Sequence, residues 1–209
     1  MSQPNAHEVA IYETLITTAS GLSQTLADAI AVVGPLSLPK SKDGNLGYFL
    51  SRAVVGQQLS TRAARTIWSR VEEAAASENS SIPDFFNDGA FETLKRCGVS
   101  GNKAKALHGI AQADLAGNLC GKSLARMDHA TRSSQLLELW GIGQWTCDMA
   151  SIFFCRCPDV WPDGDVTVQN VFGRLIGRRK PARTAKFFAP HRSYLALAMW
   201  EIADAKPEA

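Results

Sequence analysis

The residues best suited to chemistry fall in two clusters, Leu139-Trp140-Gly141-Ile142-Gly143-Gln144-Trp145-Thr146 and Pro162-Asp163-Gly164-Asp165. In the first, a Gly-x-Gly lets the backbone turn tightly through positive φ and bring bare amides up to an anion. A helix starting at about Gly143 adds the unpaired N–H groups of its first turn and the positive end of its dipole, a combination that suits a phosphate. A tight helix–helix connection uses the same residues, so the neighbours must decide. The second cluster ends in the carboxylate of Asp165, just before an apolar-periodic run. That residue type caps a helix for about 1 kcal/mol, and it can equally stabilise positive charge or activate a water.

Helices must position these groups. Val9, Ile11, Leu15 and Ile16, then Leu22, Leu26, Ile30 and Val33, recur with helical spacing, and Gly34-Pro35 closes that region. After a Pro/Ser/Lys/Gly linker (Leu36 to Asn45), a helix from about Leu46 ends near Gly56-Gln57-Gln58. Ser60 caps a helix from Thr61 to about Glu78, and Gly98 closes a short one from Phe91 to Cys97. Further helices are expected from Asn102 to about Leu119, Ser133 to Trp140, Gly143 to about Cys157, Val166 to about Ile176, Ala182 to Phe188 and Arg192 to Ala203. Strand-like alternation between hairpin turns is missing, so the expected class is all-α.

Composition narrows the partners. With 209 residues, 45% of them hydrophobic, and a net charge of +2, the chain can bury a full core as one domain or two lobes. No apolar run reaches the ~18 residues needed to cross a bilayer, and Met1 to Glu8 has no leader-like pattern, so an intracellular address and no membrane partner are expected. The five cysteines, with Cys155-x-Cys157 too tight for a metal clip, are expected to be reduced, with no metal site. Charge is unevenly placed: no acidic residue lies between Asp165 and Glu201, whereas Arg174, Arg178, Arg179, Lys180, Arg183, Lys186 and Arg192 do. Such a run reads as a phosphate-facing surface or as a solvated basic face.

Taken in order, these pieces resemble the helix-hairpin-helix (HhH-GPD) DNA glycosylase superfamily, in particular its alkylation-repair branch of 3-methyladenine DNA glycosylase II type. The resemblance covers roughly Gly47 to Ala203. It rests on Val54-Val55-Gly56-Gln57-Gln58-Leu59-Ser60, Gly98-Val99-Ser100-Gly101-Asn102-Lys103, the hairpin, Trp161-Pro162-Asp163-Gly164-Asp165, and Pro190-His191-Arg192-Ser193-Tyr194 leading to Trp200. Trp140 stands where the family hairpin usually has Pro. The resemblance implies a two-lobed all-α fold with the active site in the cleft between lobes, one lobe at about 47–132 and the other formed by about 1–46 with 133–209. Larger bacterial members add an N-terminal sheet domain; a chain of this length matches the compact form.

The resemblance also assigns roles. Cleaving an N-glycosidic bond builds positive charge on the sugar, and Asp165, at the end of the family's Pro-x-Gly-Asp pattern, would stabilise it and orient or deprotonate the water. Asp163 and Asp159 rank below it. Trp145 occupies the position where the glycosylase/lyase branch has its Schiff-base lysine, which implies a monofunctional hydrolase that leaves an abasic site. Trp145, Trp200 and Met149 would line the pocket for the flipped base, where an indole face attracts a cationic alkylated purine. Gln58, with Leu59 and Gln57 beside it, would fill the gap in the duplex. Gly141, Gly143, Gln144, Thr146, Lys103, Arg192 and Ser193 would contact the DNA backbone. No cofactor is implied, although the hairpin carbonyls could hold a monovalent cation. The implied partner is double-stranded DNA carrying alkylated bases. The protein would act as a monomer, in the cytoplasm with the nucleoid in a bacterium or in the nucleus of a eukaryote. Two other readings stand beside this one: a glycosylase for oxidised or deaminated bases, and a hairpin module that only holds DNA.

Overall fold

Short polar side chains start most of the helices. Asn5, Ser23, Asn45, Ser60, Ser100, Asp128 and Asp165 each accept a hydrogen bond from a first-turn amide of the helix that follows. At the first, Glu8 reaches back to the Asn5 amide and completes a capping box. The structure, a computed structural model, describes residues 5–39 and 44–205, and every regular element among them is helical. None of these helices is long and apolar enough to cross a membrane.

The chain forms two compact units, Met1–Lys40 with Ser151–Ala209, and Ser41–Ala150. The terminal unit contains α1 (Ala6–Ser20), α2 (Gln24–Val33), α10 (Val166–Ile176), α11 (Pro181–Thr184) and α12 (Arg192–Asp204), with a 3-10 turn at Ala185–Phe188. Its core is the meeting of Ile11, Leu15, Leu26, Ile30, Val168, Phe172, Leu195 and Met199, all buried. Ser23 has two functions here: its hydroxyl accepts from the Leu26 amide and donates to the Leu175 carbonyl at 2.6 Å, tying the start of α2 to the end of α10.

The central unit contains α3 (Leu46–Gly56), α4 (Thr61–Ser77), α5 (Phe91–Cys97), α6 (Gly101–Leu115), α7 (Gly121–Arg126), α8 (His129–Leu137) and α9 (Gln144–Met149). Leu50, Val54, Val71, Phe85, Leu107, Ile110 and Leu136 fill its interior. The hairpin packs with this unit, whereas the sequence boundary near 132 assigns it to the termini. The cause is local: α8 and α9 pack on each other, and α9 packs on α3.

Element ends depart from expectation where tertiary partners override local pattern. α6 stops at Leu115, four residues early, because Gly117 takes a φ of 78°. α8 begins a turn earlier than expected, at the Asp128 cap. α9 is short, and a π-helical stretch, Ala150–Phe154, replaces the rest of the expected helix. α7 has no expected counterpart. A buried guanidinium holds it: Arg132, only 1% exposed, donates from Nε to the Leu124 carbonyl at 2.8 Å and from its terminal nitrogen to the Met127 carbonyl at 2.5 Å. The Leu124 carbonyl also accepts from the Met127 amide at 3.2 Å, so the guanidinium is its second donor, whereas at Met127, just past the end of α7, it serves a carbonyl that the helix does not reach.

Replacing Arg132 with Met should therefore lower stability by about 1–3 kcal/mol, since the Met127 carbonyl loses its donor while the Leu124 carbonyl keeps the Met127 amide. Urea unfolding of the variant beside the parent measures this; an unchanged midpoint would mean that α7 is held in some other way.

Candidate nucleic-acid and catalytic site

In the terminal unit the chemistry gathers around Asp165. The Pro162-Asp163-Gly164 turn closes with the Asp165 amide donating to the Pro162 carbonyl at 2.9 Å, which places this residue at the N-cap of α10. The residue is buried, 8% exposed. One oxygen, Oδ1, accepts from the Val168 amide at 2.9 Å and from the indole Nε1 of Trp200 at 3.3 Å. The cap and the chemical role expected of Asp165 are thus compatible, because the bonds that build the cap also fix the carboxylate. Trp200, half-buried on α12, stacks at a tilt on Phe153 with ring centroids 5.4 Å apart. The structure brings Asp165 and Trp200 together; Phe153 is the neighbour that sequence reasoning missed, an aromatic in a run that reads as plain apolar helix. Asp163 is exposed and accepts from Gln169.

Asp159 is committed elsewhere, and so are two of the expected backbone contacts. Arg192 grips Asp159 with Nε at 2.6 Å and a terminal nitrogen at 2.9 Å, a two-pronged ion pair. Burial pushes the Asp159 carboxyl up, but the Arg192 bonds outweigh it and hold the group below the usual carboxylate range. Ser193 is fully buried: its hydroxyl donates to the Cys157 carbonyl at 2.7 Å and accepts from the Val160 amide at 2.9 Å. Arg192 and Ser193 therefore anchor the loop leading to Asp165, in place of the phosphate contacts expected of them.

In the central unit the hairpin depends on one glycine. Gly141 has φ 86°, and a Cβ there would lie 2.6 Å from the Cβ of Ala106 on α6. Both backbone conformation and space demand glycine. Gly143 differs: its φ is −108° and a Cβ there meets nothing, so neither strain nor space demands glycine at this N-cap of α9. Its carbonyl accepts from the amides of Thr146 and Cys147, and the Gly141 carbonyl accepts from the Gln57 side chain, so these carbonyls already have N–H donors. The Gln144 side chain folds back to Asp148 at 2.8 Å, and the same buried carboxylate oxygen lies 3.1 Å from Nε2 of His129. Thr146 is buried against Gln57. Gln144 and Thr146 thus brace the hairpin through their side chains, and only their backbone is left to meet a phosphate. Trp145 is half-buried and Met149, one turn on, is buried. Trp140, 50% exposed, carries the Lys105 ammonium 4.8 Å from its ring centre.

The turn after α3 is clamped from two sides. Gln57 donates from Nε2 to the Gly141 carbonyl and to the Thr146 hydroxyl, both at 3.2 Å, so its amide serves the hairpin and is not free to act as a wedge. Lys103 donates from Nζ to the carbonyls of Val55 and Gln57, both at 2.8 Å. Its expected phosphate contact is replaced by a cap on the C-terminus of α3, and burial pulls its amine below the ordinary lysine range. Between these clamps, Gln58 takes a left-handed φ of 58° and Leu59 is exposed. A non-glycine residue held in that region costs of order 1 kcal/mol and persists only where its surroundings enforce it. The carbonyl grip of Lys103 had no signature in the sequence beyond a lysine three residues after a Ser cap.

No His, Cys, Asp or Glu cluster able to hold a metal is found among the described residues, and the cysteines are free thiols.

The matching family is described as the HhH-GPD superfamily of base excision DNA repair proteins, and its match spans residues 51–188. A curated relative, DNA-3-methyladenine glycosylase 1 of Schizosaccharomyces pombe, is 30% identical over 192 residues, covering 87% of this chain and 83% of the relative. Among solved structures, the 3-methyladenine DNA glycosylase of the same yeast, in complex with abasic DNA, gives a TM-score of 0.78 at 26% identity over 92% of this chain and 97% of that one. A DNA-3-methyladenine glycosidase from Bacillus halodurans gives 0.76 at 26% identity, over 91% and 89% of the two chains.

The two hairpin glycines should separate in a stability measurement. Gly141→Ala meets both a left-handed φ and the Ala106 methyl, and should cost about 2–4 kcal/mol. Gly143→Ala, where alanine is only a poorer N-cap, should cost about 0.5–1 kcal/mol. Equal losses in urea unfolding would contradict the packing of Gly141 on α6.

Proposed function

The chain belongs to the HhH-GPD superfamily of base excision DNA repair proteins, and on that basis we propose that it is a DNA glycosylase releasing alkylated purines of the 3-methyladenine and 7-methylguanine type. The reaction is hydrolysis of the N-glycosidic bond of a flipped nucleotide, leaving an abasic site. The observation that carries this reading is the Asp165 carboxylate, buried at the head of α10 and bonded to the Trp200 indole, in a chain whose relatives are named as 3-methyladenine glycosylases.

The chemistry follows from the charge that develops. As the bond to the base breaks, the sugar gains oxocarbenium character, and a fixed carboxylate beside it lowers the barrier electrostatically. The same group orients the incoming water and takes its proton. A purine alkylated at N3 or N7 is already cationic and leaves readily, so one carboxylate and aromatic stacking can suffice. Indole faces at Trp200 and Trp145 each attract such a base by roughly 0.5–2 kcal/mol. We assign Trp145 to base recognition, Gln58 and Leu59 to filling the vacated stack, and the hairpin backbone at Gly141 and Gly143 to phosphate contact. With tryptophan where a lyase carries its Schiff-base lysine, the reaction stops at hydrolysis. All of these steps draw on side chains and backbone alone.

Two assays check the reading. Incubation with a duplex bearing 3-methyladenine, 7-methylguanine, hypoxanthine or 8-oxoguanine should release the two methylated bases and leave the strand uncut until alkali is added; release confined to 8-oxoguanine would overturn the alkylpurine assignment. Borohydride added during turnover should trap no covalent protein–DNA adduct, whereas a trapped adduct would remove Trp145 as the determinant of simple hydrolysis.

A further inference from the structure

One cationic run plays no part in the chemistry above. Arg174, Arg178, Arg179, Lys180, Arg183 and Lys186 are all exposed, and no acidic residue lies between Asp165 and Glu201. The fold gathers them at one corner of the terminal unit. α10 ends at Gly177, whose φ of 65° turns the chain, and the Pro181 ring at the start of α11 packs back beside Gly173, 3.8 Å from where a Cβ would stand. Phe188 then locks the following 3-10 turn edge-on against Phe172, with centroids 6.1 Å apart, while its neighbour Phe187 remains 66% exposed.

Two ordinary explanations do not cover this cluster. Cations favour a helix C-terminus, which accounts for Arg174 and Arg178 at the end of α10 but not for Arg183 or Lys186. Surface cations also pair locally, as Lys95 does with Glu92, Arg192 with Asp159 and Arg156 with the Leu38 carbonyl. Among the described residues, none of the six corner side chains has a hydrogen bond or ion pair. The carboxylate on the adjoining helix, Asp28 of α2, accepts from Gln24. The result is a set of mutually repelling, uncompensated charges, four of them arginines, whose planar forks match phosphate.

We propose that this corner is a second DNA-backbone surface, taking phosphates of the duplex that flanks the reacting nucleotide and setting non-specific affinity without entering catalysis. The inference rests on the reading that the protein acts on DNA. Position separates the two roles: Asp165 stands at the N-terminus of the 11-residue α10 and the basic corner at its C-terminus, on the order of 16 Å away.

The test uses the full chain with Arg178, Arg179, Lys180 and Arg183 all changed to Gln. Each neutralised phosphate contact flattens the dependence of log affinity on log salt by about 0.9. Binding to an undamaged duplex of about 30 base pairs should therefore show a slope shallower by about 2–4 and, near 0.1 M salt, at least a tenfold loss. Single-turnover release of 3-methyladenine at saturating enzyme should stay within about twofold of the parent. An Arg174→Gln/Lys186→Gln variant should show a smaller change in the same direction, a check that does not depend on the fourfold variant folding normally. A slope equal to the parent's in both variants overturns the proposal, as would an unchanged slope with lost binding to poly-glutamate, which would give the surface to an acidic protein. If the parent itself releases no methylated base, the glycosylase reading fails instead, and the slope comparison still decides whether the corner binds DNA.

Discussion

Burying a carboxylate is costly unless donors meet it, and the placement of Asp165 answers that constraint. Hydrogen bonds to a charged group contribute about 1.5–3 kcal/mol each, and Asp165 draws on the first turn of its own helix and on an indole from α12. The rest of the terminal unit follows from keeping those partners in place. α12 must run beside α10 to deliver Trp200, and the two helices do pack together. The loop before Asp165 must be held as well, which is where the buried Ser193 and the Arg192–Asp159 pair act. A group fixed this firmly needs little reorganisation when charge develops beside it, and preorganisation is the main source of electrostatic catalysis.

The central unit solves a different problem, that of holding a tight hairpin and a strained turn still. Gly141 sits so close to Ala106 that no side chain fits, which sets the hairpin directly on α6. From the start of the same α6, Lys103 reaches the carbonyls that end α3, and Gln57 bridges that turn to the hairpin. The turn with Gln58 and the hairpin glycines thus share one support, so a shift in either is felt by the other.

Much of this was legible in the residues. The caps at Ser60 and Asp165, the stop at Gly98 and the spacing of apolar positions mark helix boundaries by local physics, and α3, α4, α5 and α10 form where that physics places them. The burial of Asp165 at a helix start was readable because a helix cap and a family pattern coincide at one residue. What local pattern could not carry is long-range. α7 depends on a guanidinium eight residues away from the carbonyl that it caps, and the cationic residues Lys103 and Arg192 look like phosphate contacts until their carbonyl and carboxylate partners are seen. A positive side chain near a DNA motif has the same letter whether it faces solvent or a buried carbonyl.

The central claim is that the negative charge of Asp165, and not merely its cap, drives base release. Asp165→Asn isolates that charge, since asparagine keeps the oxygen that accepts from Val168 and Trp200 and is itself a strong helix cap. Single-turnover release of 3-methyladenine, measured with duplex affinity and urea stability on the same variant, should fall by at least about 100-fold, while affinity and stability change little. A variant that releases base within tenfold of the parent would contradict the account, because Asp165 would then be a cap alone.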